Sequence, residues 1–133
     1  MSDYFEWDRA RFSVKVPHMD LGHQTIIACM NRLYTLNQDK APAAQLAKAV
    51  DELMQVTDKH FCEEESYMAT IGFPGLREHK YIHKNLLAQV MDHKLRFEAS
   101  GVLSNEFFAF LKVWLKAHLC GIDMKYGQHR KTA

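Results

Sequence analysis

Apolar and histidine positions recur at three- and four-residue steps through most of this 133-residue chain. This spacing is the period of a helix that buries one face, and the alternation typical of strands is absent. The pattern divides into four segments, which begin near Asp20, Pro42, Leu76 and Ser104. Because short loops between helices favour antiparallel neighbours, the sequence predicts an all-α fold, an antiparallel up-down-up-down four-helix bundle.

Residues that cap or break helices indicate where each helix ends. Asp20 and Ser104 have the side chains of N-caps for the first and fourth helices. Pro42 suits the first turn of the second helix, since its missing N–H costs nothing there. Gly101 fits a left-handed cap at the end of the third helix, and Gly121 is placed to end the fourth.

The first 19 residues lack helical periodicity but contain four aromatic side chains, Tyr4, Phe5, Trp7 and Phe12. We interpret residues 1–19 as an ordered N-terminal arm that packs on a bundle formed by residues 20–133. An arm that binds a partner is the alternative. A chain of this length can bury a core without disulfides, and it has no repeat or linker, so residues 1–133 are predicted to form a single domain.

The charge of the chain excludes two classes of protein. Its 17 basic and 16 acidic residues give a formal net charge of +1, which leaves no cationic surface for nucleic acid or for an anionic membrane. No run of apolar residues is long enough to span a bilayer, and acidic residues stand where a signal peptide would be basic. We therefore expect a cytoplasmic protein without membrane insertion.

Eight histidines are an unusual number for one domain, and their spacing indicates metal binding. His60 and Glu64 form one i,i+4 pair, and His79 and His83 form another. Residues four apart on a helix lie about 40° apart around its axis and about 6 Å along it, so each pair can chelate one ion. All four residues fall on the apolar face of their helix, where an unpartnered polar group is costly.

The helix directions bring further residues to the same end of the bundle. His23 lies near the start of the first helix and His118 near the end of the fourth, with Asp123 five residues later. Asp123 can join the cluster only if the helix ends near Gly121, because i,i+5 residues of a helix point apart. In an antiparallel bundle, the starts of odd helices and the ends of even helices lie together. The predicted metal ligands are His23, His60, Glu64, His79, His83, His118 and Asp123.

The other three histidines are not expected to bind the same metal. His93 lies 14 residues beyond His79 on nearly the same face, roughly 21 Å along the helix, and we interpret it as a residue at the edge of the core. His18 precedes the first helix and His129 belongs to a polar tail, so both are expected to be solvated.

The number of donors predicts two transition-metal ions. Five imidazoles and two carboxylates are too many for one tetrahedral zinc and too poor in oxygen for calcium or magnesium. If both carboxylates bridge, together with an oxide or hydroxide, one position of two octahedral ions stays open for a small ligand. A shell rich in neutral imidazole stabilises the lower oxidation state of iron, which favours reversible binding over oxidising chemistry.

The combined pattern resembles the hemerythrin family, and most closely its single-domain bacterial members. The matching stretches are residues 20–23 (DLGH), 60–64 (HFCEE), 79–83 (HKYIH) and 114–123 (WLKAHLCGID), together with Trp7 in the arm. These stretches are spread over nearly the whole chain, and no ligand of the family pattern is missing.

The resemblance implies a non-haem centre of two iron ions that binds O2 reversibly. In this reading, one iron is held by three histidines, and the iron with the open position is held by His23 and His60. Two carboxylates and an oxo or hydroxo group would bridge the ions. The three histidines are His79, His83 and His118, and the carboxylates are Glu64 and Asp123.

A dry pocket around the open position is expected, because water would promote oxidation of the centre. Phe61, Trp114, Leu115 and Leu119 lie next to ligands or one helical turn from them, so we predict that they line this pocket. The alternative is that these side chains only form bundle core, and the two readings are compatible.

The predicted function is O2 binding for transport, storage or delivery to an unknown oxygen-consuming protein. An enzyme that reduces peroxide or scavenges nitric oxide or peroxide is one alternative. We expect no enzyme, because no extra acid, base or nucleophile is placed near the ligands. The other alternative is an oxygen or iron sensor that acts through a separate partner, since the chain has no room for an output domain.

Overall fold

The computed structural model describes residues 5–7, 13–14, 16–118 and 125–126. Within these residues the chain forms four α-helices and no strand, which confirms the predicted all-α bundle. None of these helices is both long and apolar enough to cross a membrane. The helices are α1 (Pro17–Gln38), α2 (Ala43–Thr70), α3 (Leu76–Ser100) and α4 (Asn105–Ala117).

Polar contacts between neighbouring helices show that they run antiparallel. Arg32, late in α1, lies 3.0 Å from Glu52, early in α2. Lys94, late in α3, lies 2.6 Å from Asp51 in the same early part of α2. These pairs lie far from the predicted ligands, so they mark the opposite end of the bundle. The starts of α1 and α3 therefore lie beside the end of α2, as the sequence predicts.

The interior of the bundle is built from one buried stripe on each helix. Four buried residues, one from each helix, contribute to the wall of an internal space in the bundle. Burying a side chain of this size contributes roughly 2 kcal/mol to folding. These four residues, called the apolar layer below, are Met30, Leu53, Val90 and Leu111.

The start of α1 differs from the prediction. The N-cap of α1 is Val16, with Pro17 in the first helical position, so the prediction that Asp20 caps the helix is wrong. The proline ring fixes a helical φ angle and lacks the N–H that would be unpaired there, and the helix therefore begins three residues earlier. The Asp20 carboxylate instead accepts hydrogen bonds from the Val14 amide at 2.9 Å and the Ser13 hydroxyl at 2.6 Å.

The junction between α3 and α4 agrees with the prediction. Gly101 has a φ of 76°, and its amide donates to the Phe97 carbonyl at 2.7 Å, which ends α3. The Ser104 hydroxyl accepts a hydrogen bond from the Phe107 amide at 3.2 Å and caps α4.

Two other predicted helix ends remain. Pro42 is the N-cap of α2, one position before the first turn. Gly121 lies outside the described residues.

The described part of the N-terminal arm packs against the bundle. Phe5 is 1% exposed and joins the core, and Trp7 is half-buried against it. The Asn31 side chain holds the backbone of Phe5 at both polar groups, accepting from its amide at 2.9 Å and donating to its carbonyl at 2.7 Å. The predicted ordered arm is confirmed to this extent. Tyr4 and Phe12 lie outside the described residues.

The cap at Ser104 gives a testable prediction for stability. Ser104→Ala removes the acceptor of the Phe107 amide, so the free energy of unfolding should fall by about 1 kcal/mol. Urea denaturation followed by circular dichroism measures this change. Ser66→Ala, an exposed serine within α2, is the control and should cause no loss, because alanine favours a helix interior. Equal losses in both variants would contradict the role of the cap.

Candidate metal centre

The six predicted ligands that the structure describes lie together at one end of the bundle. α1, α2 and α3 each supply at least one of them and the residue that follows α4 supplies the last, and all are at most 4% exposed. Side chains of this polarity need partners when they are so deeply buried. The six residues are His23 on α1, His60 and Glu64 on α2, His79 and His83 on α3, and His118 directly after α4. Asp123 lies outside the described residues.

Glu64 lies at the centre of the cluster and faces imidazoles with both of its oxygens. Its Oε2 atom lies 3.2 Å from His23 Nε2 and 3.6 Å from His60 Nε2. Its Oε1 atom lies 3.2 Å from His83 Nε2 and 3.9 Å from His118 Nε2. Each carboxylate oxygen therefore faces a different set of histidines, the arrangement required of a bridging ligand.

The cluster divides into two overlapping sets, each able to hold one metal ion. Glu64 belongs to both sets, and within each set the candidate ligand atoms all lie within 4.8 Å of one another. Donors bound at about 2 Å from one ion lie roughly 3–4 Å apart, so the sets need little adjustment to close on an ion. The larger set adds His79, His83 and His118, and the smaller adds His23 and His60.

Several contacts in the cluster are close without being hydrogen bonds. His83 Nε2 and Glu64 Oε1 are 3.2 Å apart but are not aligned for a hydrogen bond, and neither atom has a hydrogen-bond partner among the described residues. Both ring nitrogens of His60 are also buried without a hydrogen-bond partner in that part of the chain. Each such group costs about 1–3 kcal/mol, and a cation between the donors would remove this cost. The mixture of imidazole and carboxylate fits a transition metal.

Two opposing effects act on the pKa of Glu64. Burial favours the neutral acid and raises the pKa, but polar contacts with His118, His23, His60 and His83 outweigh burial and hold it well below its usual range. Glu64 is therefore a carboxylate at neutral pH, the form that binds metal.

Two further residues orient the ligands, and neither was assigned a role from the sequence. The Glu65 carboxylate lies 2.9 Å from His83 Nδ1, leaving the other ring nitrogen directed at the cluster. Such a carboxylate fixes the tautomer of a histidine ligand and increases its basicity. The Tyr126 hydroxyl donates to Glu64 Oε2 at 2.6 Å. Glu65 could have been found from the sequence, because it directly follows the ligand Glu64. Nothing local in the sequence connects Tyr126 with Glu64.

Gly22 provides the space that the His60 ring occupies. A Cβ atom at position 22 would lie 2.1 Å from His60 Nδ1 and 2.4 Å from its Cε1 atom, far inside contact distance. The His60 ring also meets the His23 ring edge to face, with centroids 4.6 Å apart. Close approach of α1 and α2 at this point therefore depends on a residue without a side chain.

The apolar side chains predicted to line a ligand pocket are buried beside the histidines. The Phe61 ring stacks on the His83 imidazole at a centroid distance of 3.7 Å, and Trp114 lies edge-on to Phe61 at 6.0 Å. Leu115 is buried in the same cluster of core residues. Leu119 lies outside the described residues. Phe61 and Trp114 therefore combine core packing with ring contacts to ligands, Leu115 belongs to the core, and their lining of an O2 pocket stays a prediction.

The structure separates two of the other histidines from the cluster. His93 is half-buried near the end of α3, where it packs against Phe107 and Phe110 of α4 at centroid distances of 5.1 and 5.2 Å. His18 is exposed and lies 3.3 Å from Glu63 on the surface. His129 lies outside the described residues.

The fold and the cluster together define the class of this protein, a four-helix bundle that carries two overlapping sets of metal ligands at one end. Comparison with known proteins gives the family. Residues 14–129 match the model of the hemerythrin HHE cation-binding domain. The chain belongs to the hemerythrin family.

Relatives from bacteria and animals cover most of the chain. It is 30% identical to a bacteriohemerythrin of Stenotrophomonas maltophilia over 90% of its length and 78% of that protein's. It is 35% identical to a myohemerythrin of Riftia pachyptila over 92% of its length and 90% of that protein's. A solved structure of wild-type hemerythrin superposes with a TM-score of 0.85 at 27% identity, covering 94% of this chain and 96% of the other.

Proposed function

We propose that this protein binds O2 reversibly at a centre of two non-haem iron ions. The observation that carries the proposal is the position of Glu64, which directs one oxygen to His23 and His60 and the other to His83 and His118. In such an arrangement one carboxylate can bridge two ions, with one oxygen on each. None of the relatives reported above has the name of an enzyme, which supports a binding role.

The two sets of ligands are unequal, and this supports an assignment of the open position. His79, His83 and His118 would hold one iron. His23 and His60 would hold the other, which with only two imidazoles would keep a position for O2. Asp123 is assigned as the second bridging carboxylate on the basis of its place in the sequence pattern. Iron supplies a redox-active site at which O2 can bind and from which it can leave.

The protein residues make this binding reversible by keeping the site dry. Phe61, Trp114 and Leu115 are buried next to the histidines and surround them with apolar surface. Exclusion of water protects a reduced centre from irreversible oxidation. Histidine-rich ligation favours the lower oxidation state, and the Glu65 contact to His83 tunes the basicity of that ligand. Transport, storage or delivery to an oxygen-consuming protein in the cytoplasm are the roles that we propose for such a site.

Visible absorption tests the proposed function directly. The iron-loaded protein is reduced without air, exposed to O2 and then returned to vacuum while the charge-transfer bands are followed. We expect a coloured adduct that disappears under vacuum and forms again with fresh O2. Rapid oxidation that vacuum does not reverse, or sustained turnover of peroxide, would contradict the proposal.

Iron content tests the assigned ligands. His79→Ala or His83→Ala removes an imidazole from the larger set, so we expect iron content to fall well below two ions per chain. Elemental analysis of purified protein measures this change. His93→Ala is the matched control on the same helix and should leave iron content unchanged, because His93 packs against Phe107 and Phe110 instead. Normal iron content in both ligand variants would refute the assignment.

A further inference from the structure

A groove of about 620 Å³ lies on the surface between α3 and α4. Its walls are largely apolar and include Ile82 and Leu86 from α3 and Phe110 and Trp114 from α4. The groove also touches His118, so it extends from solvent to the end of the bundle that carries the metal ligands. It is therefore an apolar path on the surface that leads toward the centre.

A second, enclosed cavity lies inside the bundle and has room for about one small molecule. The apolar layer lines it together with Phe61 and Thr57, and its wall presents no polar surface. A buried water needs two to four polar partners, so this cavity disfavours water. An uncharged gas molecule needs only dispersion contacts, which this wall supplies.

The enclosed cavity is one layer of side chains deeper than the ligands. Each residue of the apolar layer lies seven positions from a candidate ligand on its own helix or directly after it, two turns or about 10 Å along the axis. The pairs are Met30 with His23, Leu53 with His60, Val90 with His83, and Leu111 with His118. The apolar layer therefore marks the part of the cavity furthest from the ligands, and Phe61 and Trp114 form the part nearest to them.

Two side chains, Leu86 and Trp114, line both the groove and the enclosed cavity. They form the wall between the two spaces, and rotation of either could connect them. Phe61, which also lines the cavity, stacks on His83 and separates the cavity from the ligands. The cavity therefore adjoins the groove across Leu86 and Trp114, and it adjoins the ligands across Phe61.

We propose that the enclosed cavity binds one small apolar gas molecule, such as O2 or xenon, and that it fills from the groove past Leu86 and Trp114. Gas binding in the cavity requires no metal. Its use as a holding site for O2 on the way to iron rests on the function proposed above. The experiments therefore separate the two.

Xenon tests the cavity in the intact, metal-loaded protein. Crystals held under xenon pressure should show one xenon atom between Val90 and Leu111. Val90→Leu fills the space and should lower xenon occupancy severalfold, whereas the same change at an exposed position, Val102→Leu, should have no effect. Val90→Ile, which adds a single methylene, replaces Val90→Leu if that variant does not fold. No xenon in the wild-type cavity would overturn the proposal.

Leu86→Ala tests the route, because it thins the shared wall. Xenon NMR should show severalfold faster exchange between the cavity and solvent. In the iron-loaded protein, the association and dissociation rates of O2 should both rise severalfold, leaving the Kd for O2 unchanged. Leu95→Ala, an exposed leucine on the same helix, is the control and should alter neither rate.

The outcomes distinguish the two proposals. Xenon in the cavity with unchanged exchange in Leu86→Ala would overturn the route. Xenon in the cavity with faster exchange, but no reversible O2 adduct in the wild type, would overturn the proposed function and support the gas site.

Discussion

If the centre holds the two ions proposed above, Glu64→Gln should reduce the metal content to at most one ion per chain. Glutamine has nearly the shape of glutamate, but its amide group has only one carbonyl oxygen. Its NH2 group donates hydrogen bonds and does not bind metal. Whichever set the amide oxygen faces, the NH2 group faces the other, because the carboxylate now directs Oε2 to His23 and Oε1 to His83. The loss of one negative charge weakens binding at both positions.

Glu63→Gln is the matched control for this experiment. Glu63 precedes Glu64 on the same helix, but its carboxylate lies 3.3 Å from the exposed His18, outside the cluster. Elemental analysis and metal titration of the two variants should therefore differ sharply. Two tightly bound ions in Glu64→Gln would show that Glu64 does not bridge.

Gly22→Ala should selectively weaken the metal position held by His23 and His60. A glycine-to-alanine change within a helix ordinarily stabilises it by up to about 1 kcal/mol. Here the new methyl group would lie 2.1 Å from His60 Nδ1, so the ring must leave its place. Displacing one of only two imidazoles should lower the affinity for the second ion by about tenfold or more, while the first ion still binds.

Metal titration followed by calorimetry measures both affinities. The expected isotherm for Gly22→Ala has one tight step and one weakened step. Gln24→Ala, an exposed position in the same turn of α1, is the control and should keep two tight steps. Equal weakening of both steps in Gly22→Ala would mean that the methyl group distorts the whole bundle rather than one histidine.

The sequence predicts the fold and the candidate ligands because both depend on local periodicity. The i,i+4 pairs His60/Glu64 and His79/His83 need only helix geometry, and the antiparallel order of the helices brings the pairs together. The predicted start of α1 at Asp20 is wrong, because the backbone preference of the proline at position 17 starts the helix before the capping side chain at Asp20 is reached. Two signals competed there, and the fixed φ angle of the proline decided the outcome.

Features that depend on distances between helices could not be predicted. The contact of Tyr126 with Glu64 joins residues 62 positions apart, and no spacing rule connects them. The space at Gly22 exists because α1 and α2 approach closely at His60, and the groove beside Leu86 exists because α3 and α4 lie further apart. Such separations result from the packing of all side chains between the helices.

The apolar layer and the metal ligands lie in different parts of the bundle, so folding and metal binding depend on different residues. Packing at Met30, Leu53, Val90 and Leu111 satisfies that part of the bundle without any ion, whereas the histidine end is locally frustrated, with buried donors that do not pair well with one another. We therefore expect the metal-free chain to keep its bundle fold, unlike a zinc finger, in which the metal drives folding. The histidine end should then be the least stable region of the metal-free bundle.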